Sequence, residues 1–260
     1  IFQPAEEGLG GAKAMIDDGL FDKFPCDRVY AMHNGPGIAV GKFASVPGIR
    51  TAAGAFFDIK VIGKGGHGAF PQFAIDPITI AAEIIGAIQT IISRTTSPND
   101  SAVLSITKVH AGDAYNVIPE SAMLSGTVRT FAIDKMQEIE RQMISISEGI
   151  SKAHGGTALV EFNTLFLPVL NEEEATDLAT EVCRDMVGQD NVITTGSAGT
   201  GSEDFSFMSN EVPGCYVIIG NGEDSNALHN PNFDFNDKAL VYGGSFFARV
   251  IEKELTLDQV

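Results

Sequence analysis

Glu6 and Glu7 are adjacent carboxylates that follow the short apolar opening Ile1-Phe2-Gln3-Pro4-Ala5. Neighbouring carboxylates point different ways, so one could hold a metal ion while the other moves a proton. The same pair at a helix start would serve equally as surface groups facing the helix dipole. Two histidines are placed for related chemistry: His33 ends the apolar run Ala31-Met32-His33, and His229 lies in Leu228-His229-Asn230-Pro231. Imidazole together with carboxylate suits a divalent transition metal ion, although a histidine at a strand end also serves as an ordinary polar residue. His67 sits in Gly63-Lys64-Gly65-Gly66-His67-Gly68-Ala69, a run that invites close backbone approach but lacks the spacing of a phosphate-binding loop. Asn116, in Asn116-Val117-Ile118-Pro119, and Arg129, in Thr127-Val128-Arg129-Thr130, add an amide and a planar guanidinium. The guanidinium could clamp a carboxylate or simply be a strand charge in solvent. The segment Ser202-Glu203-Asp204-Phe205 brings two further acids, either supporting groups or helix caps, with no role assigned.

The elements that must position these groups follow a mixed rhythm. Gly11 to Asp18 reads as a short helix and Arg28 to His33 as an apolar strand, a βαβ rhythm. It would set Glu6, Glu7 and His33 beyond the carboxyl ends of the strands. From Thr51 the pattern changes to alternation at Phe57, Ile59 and Val61, then a helix from Asp76-Pro77 to Ser93. Val103 to His110 and Ala122 to Phe131 read as an antiparallel pair. Met136, Ile139, Met143, Ile146, Ile150 and Ala153 form a helical stripe, and Ala158 to Phe162 a closing strand. The sum is β-α-β-β-α-β, able to fold as its own domain. Beyond it come a helix capped by Asn171 and ended by Gly188, a buried strand Cys215 to Ile219, and a last helix from Asn236 to about Lys253. The fold expected is α/β, a catalytic-type domain over 1–50 and 165–260 interrupted by an α+β domain over 51–164.

Composition bounds the rest. The 260 residues hold 17 Lys and Arg against 34 Asp and Glu, a net charge of −17 that argues against nucleic acid as a partner. Cys26, Cys183 and Cys215 are odd in number and widely spaced, which fits a reducing, cytoplasmic setting. The longest apolar stretch, Ile78 to Ile92, is interrupted by Glu83 and Gln89, so it reads as a buried helix and no membrane is expected. The opening residues resemble the end of a strand, so the chain is expected to begin part-way through a longer protein.

Taken in order, Phe2-Gln3-Pro4-Ala5-Glu6-Glu7-Gly8, Met32-His33-Asn34, Gly65-Gly66-His67-Gly68-Ala69, Asn116-Val117-Ile118-Pro119, Ser202-Glu203-Asp204-Phe205 and His229-Asn230-Pro231 closely resemble the M20 metallopeptidase family, in its amidohydrolase branch. That branch cleaves N-acyl amino acids such as hippurate and auxin conjugates. The resemblance implies Glu6 as general base, Glu7, His33 and His229 as metal ligands, and His67 as the catalytic histidine of a lid and dimerisation domain. It implies Asn116 and Arg129 as contacts to the substrate carboxylate, a pair of divalent ions (zinc, manganese, cobalt or nickel), and a homodimer formed through the lid. The family's upstream His-x-Cys-Gly-His-Asp motif is absent from these residues, so the sequence reads as a carboxyl-terminal part. A truncated, catalytically silent homologue acting as an oligomerisation or ligand-binding module is the alternative, as is a dipeptidase or carboxypeptidase of the same family.

Overall fold

A computed structural model describes residues 1–7 and 10–255; Gly8 of the opening motif lies outside them. The chain forms two compact units. Unit 1 comprises Ile1–Thr51, Val169–Gly199 and Glu203–Val260, and unit 2 comprises Ala52–Pro168 with Thr200–Ser202.

Unit 1 opens with helices α1 (Gly11–Asp17) and α2 (Leu20–Lys23), then strands β1 (Val29–Pro36), β2 (Phe43–Ala44) and β3 (Gly48–Ile49). Unit 2 holds β4 (Ala53–Ile62), β5 (Gly66–His67), α3 (Pro77–Thr90), β6 (Ala102–Ala111), β7 (Val117–Ile118), β8 (Ser121–Thr130), α4 (Ile133–Ala153) and β9 (Thr157–Phe166). The chain then returns to unit 1 with β10 (Leu170–Asn171), α5 (Glu173–Val187), β11 (Val192–Ile193), α6 (Phe205–Glu211), β12 (Gly214–Gly222) and α7 (Ala239–Glu254).

Unit 1 is built on a four-stranded sheet of order β1-β12-β2-β11, with β1 and β12 parallel and His33 opposite Ile218. β12 is apolar on both faces because both are covered, as parallel strands require. Cys215, Val217 and Ile219 pack with α5 and α7 through Val182, Cys183 and Phe246. Tyr216 packs on the other side with Phe205 and Met208 of α6 and Ala12 of α1. β3 and β10 zip together the two crossings between the units, Ile49 opposite Leu170 and Gly48 opposite Asn171.

Unit 2 is an antiparallel sheet of order β6-β8-β4-β9 with α3 and α4 on one face. Strict alternation puts Ala53, Ala55, Phe57, Ile59 and Val61 of β4 into the core, and Ile80, Ile84 and Ile88 of α3 and Met136, Ile139 and Met143 of α4 close over them. Gly126 of β8 stands opposite Phe57, and a methyl group there would overlap the Phe57 ring and the Ser105 carbonyl oxygen, so the ring lies across the glycine. By length and composition alone Pro77–Thr95 could cross a membrane, yet Ile80, Ile84, Ile88 and Ile91 are buried in the core of this unit.

Several local expectations need correction. Asn171 does not cap α5; Glu172 does, its carboxylate accepting the N–H groups of Glu174 (3.1 Å) and Ala175 (2.8 Å). Asn171 is instead buried, its amide donating to the carbonyls of Val46 and Tyr216 and accepting from the Tyr216 N–H at 2.7 Å. α7 starts at Ala239, and Asn236 only closes the preceding turn by accepting the Lys238 N–H. β1 runs to Pro36, so His33 lies within the strand and not at its end. On α4 the buried stripe continues through Ser147 and Ser151, with Ile146 and Ile150 at its flank. Asp76 does cap α3, accepting the Ile78 N–H at 2.9 Å.

Candidate active site

In unit 1, carboxylate oxygens of Glu6, Glu203 and Asp204 converge within 4.8 Å of one another. Glu203 and Asp204 are buried, at the approach to α6, while Glu6 lies in the segment before α1. Both buried acids are anchored. Glu203 accepts the Tyr216 hydroxyl at 3.0 Å and the Phe205 N–H at 3.2 Å. Asp204 accepts the Ala12 N–H at 3.0 Å and the Gln3 side-chain amide. Asp204 therefore ties both sides of the Glu6 segment to α6, which fixes where Glu6 can be. Burial, and then the charges of Glu203, Glu7 and Asp204, push the Glu6 carboxyl up to about 7, with His33 pulling in the opposite direction. No Lys or Arg ion-pairs with these three acids among the described residues.

His33 donates its Nδ1–H to the Asn34 carbonyl at 2.7 Å, since a carbonyl oxygen only accepts. That leaves Nε2 with its lone pair, the tautomer a metal-binding imidazole needs. Its ring lies 6.2 Å from that of Tyr216, the neighbour on β12. Glu7 and His229 are exposed and, among the described residues, are not gathered with His33 into a ligand-spaced group of three. His229 and Ala5, the residue before Glu6, are nonetheless the two non-glycine residues with positive φ among those described, at 62° and 58°. A backbone held left-handed costs on the order of 1 kcal/mol and gathers at functional sites.

In unit 2, β5 and β7 pair with His67 opposite Val117, and the Gly68 N–H donates to the Asn116 carbonyl at 2.8 Å. The pairing brings His67 and Asn116 to one cleft of 380 Å³, lined also by Gly65, Gly66 and Val117 to Glu120. His67 accepts the Ala69 N–H on Nδ1 at 3.1 Å, so Nε2 carries the proton and is a donor. Arg129 projects from β8 on the sheet face away from α3 and α4, its guanidinium 6.0 Å from the Phe56 ring centre. Burial draws its pKa below the ordinary value.

Two groups of the unit 1 site carried only weak signals in the sequence. Tyr216 sits in a run read as plain core strand, where the signal available was that a buried tyrosine hydroxyl must find a partner. Glu203 and Asp204 looked like caps, and nothing local shows that they fold against residues some two hundred positions earlier.

The profile of Peptidase family M20/M25/M40 matches residues 1–253. The chain belongs to this family. It is 39% identical over 254 residues to a hippurate hydrolase of Campylobacter jejuni, covering 98% of this chain and 66% of that protein. It is 33% identical over 253 residues to the IAA-amino acid hydrolase ILR1-like 2 of Arabidopsis thaliana, covering 95% and 57%. Among solved structures, a putative aminohydrolase from methicillin resistant Staphylococcus aureus superimposes with a TM-score of 0.88 at 29% identity, covering 98% of this M20 chain and 66% of its own. A Bacillus subtilis protein described as a dinuclear metal binding peptidase of the M20 family gives 0.80 at 29%, covering 100% and 65%. This M20 chain thus spans less than two thirds of the length of the relatives named.

The donors present fit divalent ions in kind. Three converging carboxylates lack a balancing cation among the described side chains, and an imidazole is held in its metal-binding tautomer.

Proposed function

We propose that this M20 chain is the larger part of a metal-dependent amidohydrolase that cleaves the amide bond of N-acyl amino acids of the hippurate kind. The observation that carries the proposal is the convergence of Glu6 with two anchored, buried acids beside His33, in a chain of this family. Glu7, His33 and His229 would hold divalent metal, which supplies electrophilic activation of water and of the amide carbonyl when bound. Glu6 takes a proton from the attacking water and returns it to the leaving amine. A carboxyl poised near neutrality suits both transfers. Asp204 is a positioning residue that keeps the Glu6 segment in place through Gln3 and Ala12, and Glu203 sets a negative charge beside Glu6. His67, with Nε2–H as donor, steadies the oxygen on which charge develops. Asn116 and Arg129 bind the carboxylate of the amino-acid part. The hippurate-like substrate is supported by the name of the Campylobacter jejuni relative and by Arg129, which lacks an acidic partner among the described residues. Pairing of two chains through unit 2 is supported by the free edges β6 and β9, where Val103, Val109 and Leu159 are exposed.

In the full-length protein, Glu6→Gln is expected to lower kcat on benzoylglycine about a thousandfold while bound metal, measured by elemental analysis, stays at the wild-type level. Retention of a tenth or more of the activity would remove Glu6 from the role of base. The exposed, ungathered placement of Glu7 and His229 favours the second reading, a catalytically silent binding module. Wild-type protein that binds no metal and turns over no substrate in this experiment would establish it.

A further inference from the structure

His229 sits in the loop that leaves β12 and leads to α7, and side-chain amides tie this loop at two levels. At the base is Asn221, near the carboxyl end of β12 and buried. Its Nδ2 donates to the Ser225 hydroxyl at 3.1 Å and to the Asp234 carbonyl at 3.0 Å, and its Oδ1 accepts the Asn236 N–H at 2.8 Å. The Ser225 hydroxyl in turn donates to the Asn221 carbonyl at 3.0 Å. One side chain thus grips both the start and the end of the loop. The base is seated on the chain just beyond β1, where the Gly222 N–H donates to the Ile38 carbonyl at 2.7 Å and the Gly37 N–H to the Gly222 carbonyl at 2.9 Å.

The second level lies nearer His229. Asn226 Nδ2 donates to the Asn232 carbonyl at 2.9 Å, across a turn that closes where the Asn230 N–H donates to the Ala227 carbonyl at 3.2 Å. His229 is the third residue of that turn, with φ 62°. A non-glycine residue keeps a left-handed backbone only where its surroundings over-determine it. Asn230 adds to that constraint, its Oδ1 accepting the Asn232 N–H at 2.9 Å and its carbonyl the Phe233 N–H at 2.8 Å.

We propose that Asn221, with Asn226 above it, is a positioning residue for His229: the two amides close the loop so that the imidazole meets a divalent ion from a backbone already ordered without that ion. The role rests on the reading of His229 as a metal ligand given above. Both Nδ2 hydrogens of Asn221 are spent inside the loop and the residue is 1% exposed, so it acts through the loop and not by touching a ligand. A loop with a metal ligand can also be ordered by the metal itself, as in small domains that fold only when loaded. Here the ordering bonds all run between protein atoms. They use amides, a hydroxyl and carbonyls, while the loop acids Glu223 and Asp224 are left exposed. A ligand held in place beforehand spares the ion the cost of ordering it, so the amides contribute to metal affinity from a distance.

The test follows amide hydrogen exchange in the metal-free full-length protein and, separately, titrates it with zinc against a chromophoric chelator. In metal-free wild type the amides of Asn230, Asn232, Phe233 and Asn236 are expected to be protected. Asn221→Ala should bring them to within a few-fold of the unprotected rate and leave Tyr216 to Ile219 of β12 unchanged. A loop closed about one tenth of the time binds about tenfold more weakly, so zinc affinity should fall about tenfold. Asn226→Ala, at an exposed position where the fold is not at risk, should weaken zinc about threefold. In a His229→Ala background Asn221→Ala should weaken zinc no further, because the residue acts through the imidazole. Loop amides unprotected in metal-free wild type, undiminished zinc affinity in Asn221→Ala, or an equal loss in the His229→Ala background would overturn the positioning role while leaving His229 as a ligand. A His229→Ala protein that binds zinc as the wild type does would overturn the ligand reading and the positioning role with it.

Discussion

The two units solve the same folding problem in different ways. Unit 2 encloses one continuous core under one sheet, and nearly every contact in it joins regular elements whose apolar residues recur at the strand or helix period. Unit 1 splits its core between the two faces of β12, uses two-residue strands at the far side of its sheet, and buries Glu203, Asp204 and Asn171. Those polar groups are stable because each is matched to named donors: Tyr216 and Phe205 for Glu203, Ala12 and Gln3 for Asp204. One unit is held by area, the other by area together with specific polar matches. The difference teaches where to look for chemistry, because the anchored acids of unit 1 are what bring like charges beside the partly buried Glu6 and add to the effect of its burial.

The sharpest test of that contrast is Ile84→Ala, which empties the middle of the α3 face in unit 2. A loss of about 3 kcal/mol is expected, with faster amide exchange in β4 and β8 and unchanged protection in α5 and β12. Equal loosening of both units would break the distinction. Next comes Glu172→Ala at the start of α5, expected to cost about 1 kcal/mol by thermal denaturation through loss of two capped N–H groups. No change would mean that solvent caps the helix as well as the carboxylate does.

The smallest effect expected is on pH dependence, since Glu6 is only partly buried and its shift is softened by solvent. Its folded pKa, about 7, lies above the ordinary 4.5, so between those values the folded chain binds more protons than the unfolded chain. The Glu6 contribution to stability is therefore full below 4.5 and is lost as pH rises toward 7. Glu172 runs the other way: backbone N–H groups hold its pKa below the ordinary value, so its contribution is full above that value and is lost on acidification. Denaturant midpoints of metal-free wild type and Glu6→Gln between pH 4.5 and 7 should differ in slope, with the variant flatter. Parallel curves would show that the carboxyl does not feel its neighbours.

The same contrast explains what the sequence made legible. Period-two alternation at Phe57, Ile59 and Val61 and the Asp76-Pro77 helix start are local signals, and the β-α-β-β-α-β order of unit 2 followed from them. Asn171 departs from the expected cap because an asparagine before a helix is a good cap only where nothing else claims its amide. Its actual partners, Val46 and Tyr216, are distant in sequence and invisible to local pattern. In the site, Glu6 and His33 stood out by type and by family resemblance. Glu203 and Asp204 lay in a motif of that resemblance without a role of their own, and Tyr216 in none, because what these residues do comes from partners that only folding brings together.

The pairing of β3 with β10 has a consequence in time. Val29 and Gly214 are partners separated by 214 − 29 = 185 residues. A ribosome takes roughly 10–40 s to make that many. Unit 2 lies almost wholly within that interval and is complete, but for Thr200–Ser202, well before β12 exists. Once Gly48 and Ile49 have zipped to Asn171 and Leu170, the long excursion is short-circuited: β1 waits for a partner reached through (48 − 29) + (214 − 171) = 62 residues of chain in place of 185. The β3–β10 pairing at the base of the insertion thus offsets the long search that the insertion imposes on the sheet.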